Sequence, residues 1–518
     1  MRYTIPGRLK LILSSNFFFG AAHTSVALSR RLASAVAQTG ILVVVAIALS
    51  SCSLIKGDKN SKLEQVLKPL PDANSAAGPL ERIGAKEHPK IVAANGGVYA
   101  DPKLNRVLLD IVTTLTAHSN GPVKRYKITI LNSPTVNAFA LPGGYIYVTR
   151  GLLALANDKA EVAAVLAHEM AHVTANHGIK RIKKLKDSKL ADRVVLDVLS
   201  NDRAGKIALA ANKISLAKFS QNQELQSDLL GIRRLGSAGY DPYAAARFLG
   251  AMNLYAKYQS SLSSQNNVQD FLSTHPSTPK RIELAKRHAR AFGRPGSGIS
   301  NREQYLAAVD GLLFGDSPQE GYVRGNRFSH AGLGITFSVP NGYDIDNNAK
   351  AVVISGPNQI AIRFDGVSQP ENVSLADYLN SGWVNGLKQG STTMGITNGL
   401  KTAFGEAEAD GWIFNITLIR SGSQIYRFIL AAPKSTTNSA VIAKQISQTF
   451  RKLNRGELKK LRPLRVKIIR IGANDSIASI ATKMQGVQRR LDLFRLLNRL
   501  KPGERLKPGT RVKIVVNG

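Results

Sequence analysis

Cysteine is almost missing from this chain: one residue in 518, Cys52, and tryptophan occurs only twice. A single thiol rules out any disulfide within the chain and any zinc site made of paired cysteines. Metal chemistry, if present, must therefore fall to histidine and carboxylate. Acidic side chains are also scarce, 35 against 70 Lys and Arg, so the net charge is +35. Such an excess invites a nucleic-acid partner, yet the cations are dispersed and accompany no nucleic-acid-binding motif, so no such partner is expected. Attraction to anionic lipid or cell-wall polymer is the better reading. The densest basic run, Lys180-Arg181-Ile182-Lys183-Lys184-Leu185-Lys186, reads as a solvated helix face. Long apolar runs are lacking too: Ile41 to Leu49 falls short of the about twenty residues that a spanning helix needs.

Histidine is sparse, nine in all, but two are placed tellingly. His168-Glu169-Met170-Ala171-His172 lies in an Ala/Val/Leu-rich run without proline. The run opens at Asp158-Lys159-Ala160-Glu161, and the pattern predicts a helix closed by Gly178. On that helix His168 and His172 share a face and can hold one Zn²⁺, while Glu169 can reach a water bound to it. Downstream, Gln223-Glu224-Leu225-Gln226-Ser227-Asp228 reads as a second helix. Glu224 can complete a His-His-Glu site, and Asp228, four residues on, can accept from the second nitrogen of a ligand histidine. His177 falls about 140° round the first helix, away from the metal, as a surface or supporting residue. His275 sits in a Ser-Thr-His-Pro loop, and the remaining five histidines show no ligand spacing. After the Pro142-Gly143-Gly144 turn, Tyr145, Tyr147 and Thr149 alternate with Ile146 and Val148, the period of a strand.

Together these residues resemble the gluzincin family that contains the CAAX prenyl endopeptidases, bacterial HtpX and BepA-type proteases. Asn137-Ala138-Phe139-Ala140-Leu141-Pro142-Gly143-Gly144, Thr274-His275-Pro276 with Lys280-Arg281-Ile282, and Gly97-Val98-Tyr99-Ala100-Asp101-Pro102 carry the likeness further. One departure is Ser220-Gln221, where the family often has Ser-Arg, which removes a cation near the site. The resemblance implies one Zn²⁺ on His168, His172 and Glu224, with Glu169 as general base. It places His275 beside the metal, as an oxyanion stabiliser or as occupant of the open position in a resting state. It also implies that Gly144, Tyr145, Ile146 and Tyr147 form an edge strand that pairs with extended substrate. Unfolded or misassembled envelope proteins are the substrates it points to. The rival reading is a non-catalytic envelope chaperone or peptidoglycan-binding scaffold, for which an intact Glu169 has no use.

Arg30-Arg31, the apolar run and Leu49-Ser50-Ser51-Cys52 resemble a bacterial lipoprotein signal, with lipid carried by Cys52. Ser53 follows, so the periplasmic face of the outer membrane is the expected address. Three domains suit the length and the 43% hydrophobic content. The expected order is a signal peptide over 1–51, a linker over 52–88 and a mainly α-helical peptidase domain with a small sheet over 89–295. An α+β module follows over 321–453, with a weak resemblance to small PsbP- or Mog-like sandwiches. Residues 464–518 resemble a LysM module of βααβ plan, which implies binding to peptidoglycan. Asn474-Asp475-Ser476 stands there in place of the usual Gly-Asp-Thr.

Overall fold

A computed structural model describes residues 78–118, 125–180, 219–262, 271–349 and 351–518. The expected signal peptide, Cys52 and most of the linker and of the basic run lie outside the described residues. Helix α1 (Pro79–Ala94) is followed by α2 (Pro102–Ala117), which Asp101 caps by accepting from the Lys103 and Leu104 amides. Strands β1 (Lys127–Leu131), β2 (Ala138–Leu141) and β3 (Tyr145–Thr149) make a small sheet in the order β1-β3-β2, with β1 parallel and β2 antiparallel to β3. Helices α3 (Arg150–Leu155), α4 (Lys159–Thr174), α5 (Gln221–Ser237), α6 (Ala244–Ser260), α7 (Phe271–Thr274) and α8 (Pro279–Ala289) complete this portion.

Helix α4 is the axis of the core. Asp158 caps it, and every residue from Lys159 to His172 is buried. Alanines at many of its positions let neighbours approach closely. Helix α5 crosses it at Gly231, where a side-chain carbon would stand 3.1 Å from the His168 backbone nitrogen. The signature Ser220-x-x-Gln223 forms a reciprocal capping box that starts α5 just ahead of Glu224.

Three expectations need correction. The linker does not reach residue 88, because α1 begins at Pro79 and carries Pro89 within it. This helix is anchored by packing: His88 Nδ1 lies 2.9 Å from the Tyr147 hydroxyl. Nor is the Gly144–Tyr147 strand an edge. β3 is central, and both its sides are taken by β1 and β2, so its backbone groups are already paired and none is left for a substrate. The boundary at 295 likewise fails to mark the end of the core. Helix α9 (Arg302–Val309) continues it, with Tyr305 fully buried and donating to the Leu153 carbonyl at 2.6 Å.

The middle module is sheet-rich. β5 (Tyr322–Arg324), β6 (Arg327–His330), β7 (Ile335–Ser338) and β15 (Arg451–Lys452) form one sheet. β8 (Asp344–Asn347), β9 (Val352–Ser355), β10 (Ala361–Ser368), β11 (Thr393–Thr397), β12 (Leu400–Ala409), β13 (Trp412–Ser421) and β14 (Gln424–Pro433) form the other. Period-two alternation along β14 sends Tyr426, Phe428 and Leu430 to one core and Ile425 and Ile429 to another on the opposite face. α10 (Leu375–Leu379) covers the second core and α11 (Ser439–Ser447) the first.

After α12 (Arg455–Lys460), residues 464–518 run as β16 (Leu464–Arg470), α13 (Ile477–Thr482), α14 (Arg490–Asn498) and β17 (Arg511–Asn517). β16 also pairs with β4 (Leu313–Phe314), directly after the peptidase portion. Leu464, Val466, Phe494 and Val515 share one hydrophobic core with Leu153, Ala156 and Val162. The βααβ module is therefore built into the peptidase portion. Among the described residues no helix is long and apolar enough to cross a membrane.

Gly84 reports on how α1 lies across β3, because an added methyl would collide with the Tyr145 ring and the Pro142 carbonyl. Helix propensity alone favours Gly84→Ala by about 1 kcal/mol. The collision costs about 1–3 kcal/mol, so a net loss is expected in urea denaturation. A raised midpoint would mean that α1 does not pack there.

Candidate active site

Two turns of α4 and one of α5 bring the ligand-type side chains together. His168 Nε2 and His172 Nε2 lie 3.0 Å apart, as expected for side chains four residues apart on one helix face. Glu224 reaches both, at 3.5 Å from His168 Nε2 and 3.4 Å from His172 Nε2. His275 enters from the loop after α7, with Nδ1 2.9 Å from Glu224 Oε1 and 3.4 Å from His168 Nε2. One donor atom from each of these four buried residues falls within 4.8 Å of the other three, a group that can hold a metal ion. Glu169 is fully buried, and His275 Nε2 lies 3.5 Å from its carboxylate.

The surroundings fix these side chains. Asp228 Oδ1 lies 3.1 Å from His168 Nδ1, leaving Nε2 turned to the cluster. Phe219 stacks on the His172 ring at 3.9 Å between centroids, and Phe271 stacks on His275 at 4.5 Å. His177 Nδ1 stands 3.0 Å from His172 Nδ1, and its Nε2 is 3.1 Å from the Gln226 side-chain oxygen. His177 is thus a supporting residue of the His172 ring, outside the group of four donors, although it does not reach that place along one continuous helix. Helix α4 stops at Thr174, not at Gly178, because Asn176 takes a left-handed φ of 55° and the chain turns before His177.

Arg281 is the residue that sequence reasoning undervalued. Buried at the start of α8, it donates through Nε and one terminal nitrogen to Asp228 at 2.7 and 2.8 Å. Its other terminal nitrogen lies 2.8 Å from Glu224 Oε2 and donates to the Pro276 carbonyl at 2.9 Å. A cation thus sits at the site despite the Ser220-Gln221 departure. The signal available beforehand was charge: Glu169, Glu224 and Asp228 cannot all be buried without one.

Electrostatics follow from this arrangement. Burial alone would raise Asp228, but Arg281 and His168 outweigh it and hold the carboxyl at about 2. Burial would raise Glu224 as well, and His275, His168 and His172 instead keep it far below the usual carboxylate range. His168 would be lowered by burial, yet Asp228 and Glu224 push it up to about 10. Burial dominates at His172 and lowers it well below 6.5. With a metal bound the ligand imidazoles must be neutral, three carboxylates then face one guanidinium, and a divalent cation would offset the remainder. The donor set of imidazole nitrogens and one carboxylate oxygen suits zinc.

A cavity of about 250 Å³ opens beside His172. Ala140 and Leu141 of β2, the Pro142-Gly143-Gly144 turn, Asn176 and Glu81 line it. The sheet edge nearest the histidines is thus β2, while Tyr145 and Tyr147 face an aromatic cluster with Phe139 and His88.

Removing Arg281 should expose the charge imbalance. In the metal-free protein Arg281→Gln should cost about 3–5 kcal/mol, the usual penalty for uncovering a buried charge. Zinc should restore more stability to the variant than it adds to the parent, since the ion then offsets the uncovered carboxylates. Denaturation with and without zinc tests this, and equal gains in both proteins would refute it. Glu224→Ala should lower zinc occupancy further than His177→Ala, for which about 10–100-fold weaker binding is expected. Equal losses by metal analysis would mean that the third ligand lies elsewhere.

Residues 101–289 match Peptidase family M48. Over 301 residues the chain is 26% identical to the Beta-barrel assembly-enhancing protease of Escherichia coli, covering 53% of this chain and 60% of that protein. It is 32% identical over 159 residues to the Mitochondrial metalloendopeptidase OMA1 of Schizosaccharomyces pombe, covering 30% of this chain and 45% of the relative. The chain thus spans less than two thirds of these curated relatives. Among solved structures, the cyanobacterial PsbP of Synechocystis is similar at 12% identity and a TM-score of 0.21, covering 27% of this chain and 98% of its own. The buried His168, His172, Glu224 and His275 group lies wholly within the stretch that matches Peptidase family M48.

Proposed function

We propose that this protein is a zinc-dependent endopeptidase of the bacterial cell envelope, acting in protein quality control or outer-membrane assembly. The observation that carries the reading is the convergence of His168, His172 and Glu224 with Glu169 one residue along the same helix. The match to Peptidase family M48 supports it. His168, His172 and Glu224 would hold one zinc ion, with Asp228 and His177 fixing the two rings. When bound, zinc supplies Lewis acidity, which lowers the pKa of water toward about 7 and polarises a carbonyl. Glu169 takes the proton of the attacking water and returns it to the leaving amine. An extended substrate would lie in the cavity along Ala140 and Leu141, where β2 supplies a strand edge.

His275 would fill the fourth donor position in a resting arrangement, a reading supported by its 2.9 Å approach to Glu224 Oε1. Hydrolysis then requires its ring to swing from Glu224, after which it can stabilise the oxyanion. A closed set of four donors also favours a second reading, a structural zinc within a non-catalytic envelope chaperone or scaffold. Unfolded or misassembled envelope proteins are the proposed substrates, in line with the printed name of the E. coli relative. The proposed address is the periplasmic face of the outer membrane, with lipid on Cys52. The βααβ order of residues 464–518 supports a LysM-like module with peptidoglycan as its partner.

Glu169→Gln decides between the two readings. It should retain zinc at one ion per chain and lose casein cleavage by about 10²-fold or more, the scale of a general base. Cleavage by the variant at the parent rate would sink Glu169 as the general base, whereas a parent that binds zinc and leaves casein intact would leave the scaffold reading standing.

A further inference from the structure

Besides the shared core, one side chain of the βααβ module reaches deep beneath the metal helix. Lys513, on β17, is fully buried, and its ammonium donates to the carbonyls of Ala154, Leu155 and Ala156 at 2.8, 3.2 and 2.8 Å. These are carbonyls at the C-terminal end of α3, which the helix itself leaves without partners. Beyond them only Asn157 intervenes before Asp158 caps α4, the helix carrying His168, Glu169 and His172.

The same elbow is held from several other sides. Arg499, also from the βααβ module, donates to the Leu155 carbonyl at 3.2 Å and lies 3.4 Å from Glu161 Oε2. Arg302 of α9 donates to the Asn157 carbonyl at 2.9 Å. Arg247 of α6 donates to Asp158 at 3.1 Å. Burial and then Arg499 push Lys513 well below its usual pKa, while Glu161 and the negative end of the helix dipole favour the cation, whose three N–H groups match the three acceptors.

We propose that Lys513 is a positioning residue for the metal-binding helix. The βααβ module sets the direction in which α4 leaves the elbow, and with it the convergence of His168 and His172 on Glu224. The inference rests on the metal-binding reading above and adds a part of the chain outside the stretch that matches Peptidase family M48. His168 lies ten residues past Asp158, about 15 Å along the helix, so a tilt of about 5° at the elbow moves it by roughly 1.3 Å. Displacements of that size cost about 10²-fold where groups must converge. A module that served only to hold glycan would need a linker, not a lysine buried beneath the metal helix.

The test uses the full chain and reads the metal site directly. Lys513→Met keeps the length of the side chain and removes all three donors. At a temperature where circular dichroism shows it folded, it should bind zinc at least about tenfold more weakly by chelator competition. Its cobalt-substituted absorption bands should shift, and casein turnover should show a lower kcat with KM unchanged. Lys513→Cys, aminoethylated in denaturant and refolded, rebuilds the lysine shape and charge and should restore both zinc affinity and cobalt bands. The parent chain treated alike controls for Cys52. A folded Lys513→Met with parental zinc affinity and cobalt bands overturns the proposal, because the lysine then contributes stability alone. Should that variant not fold, Arg499→Met removes the module's second grip on Leu155, and unchanged cobalt bands there overturn it equally. A parent that binds zinc but leaves casein intact sinks the peptidase reading, while the cobalt bands still decide the role of Lys513.

Discussion

Burying Glu169, Glu224 and Asp228 together is the constraint from which the rest of the site follows. Each carboxylate taken from water costs several kcal/mol unless paired and hydrogen-bonded. Arg281 answers part of that demand with a two-pronged hold on Asp228 and a third contact to Glu224. The imidazoles of His168, His172 and His275 answer more of it. What remains is an attraction for a divalent cation, placed where the imidazole nitrogens meet. Affinity for metal is thus stored in the charge balance of the fold as well as in the ligand atoms.

Much of this was legible in the sequence because helices convert spacing into geometry directly. The four-residue step from His168 to His172, and the same step from Glu224 to Asp228, fix which side chains share a face. The opening of α4 at Asp158 was legible as well, whereas the Ser220-x-x-Gln223 box that starts α5 went unread. Local rules suffice where the interaction is local.

Legibility failed where a residue's role depends on chain distant in sequence. Period-two alternation identified Tyr145–Thr149 as a strand, but it carries no information on which neighbours flank it. Only pairing to β1 and β2 shows it to be central. The end of α4 was misread, at Gly178 instead of Thr174, because a single left-handed residue, Asn176, turns the chain. In the middle module strands at Val352–Ser355 and Trp412–Ile419 were readable, whereas β11 and β12 were not. Their exposed or mixed faces, with Met394 and Ile396 outside, lack a clean alternation. The modular division failed at residue 295 for the same reason, since Tyr305 and Val515 reveal their common core only by contact.

The separation between Lys513 and its acceptors also sets an order of events. Its contact with Ala154 spans 359 residues of chain. At synthesis rates of about 5–20 residues per second, the elbow is made roughly 20–70 s before the lysine that closes it. During that interval the carbonyls of Ala154, Leu155 and Ala156 have no buried cation, and the core shared with Leu464 and Val515 is open on one side. The packing beneath α4 is therefore completed late, although that helix is encoded early, and a newborn chain holds the elbow without its closing lysine until β17 has been made.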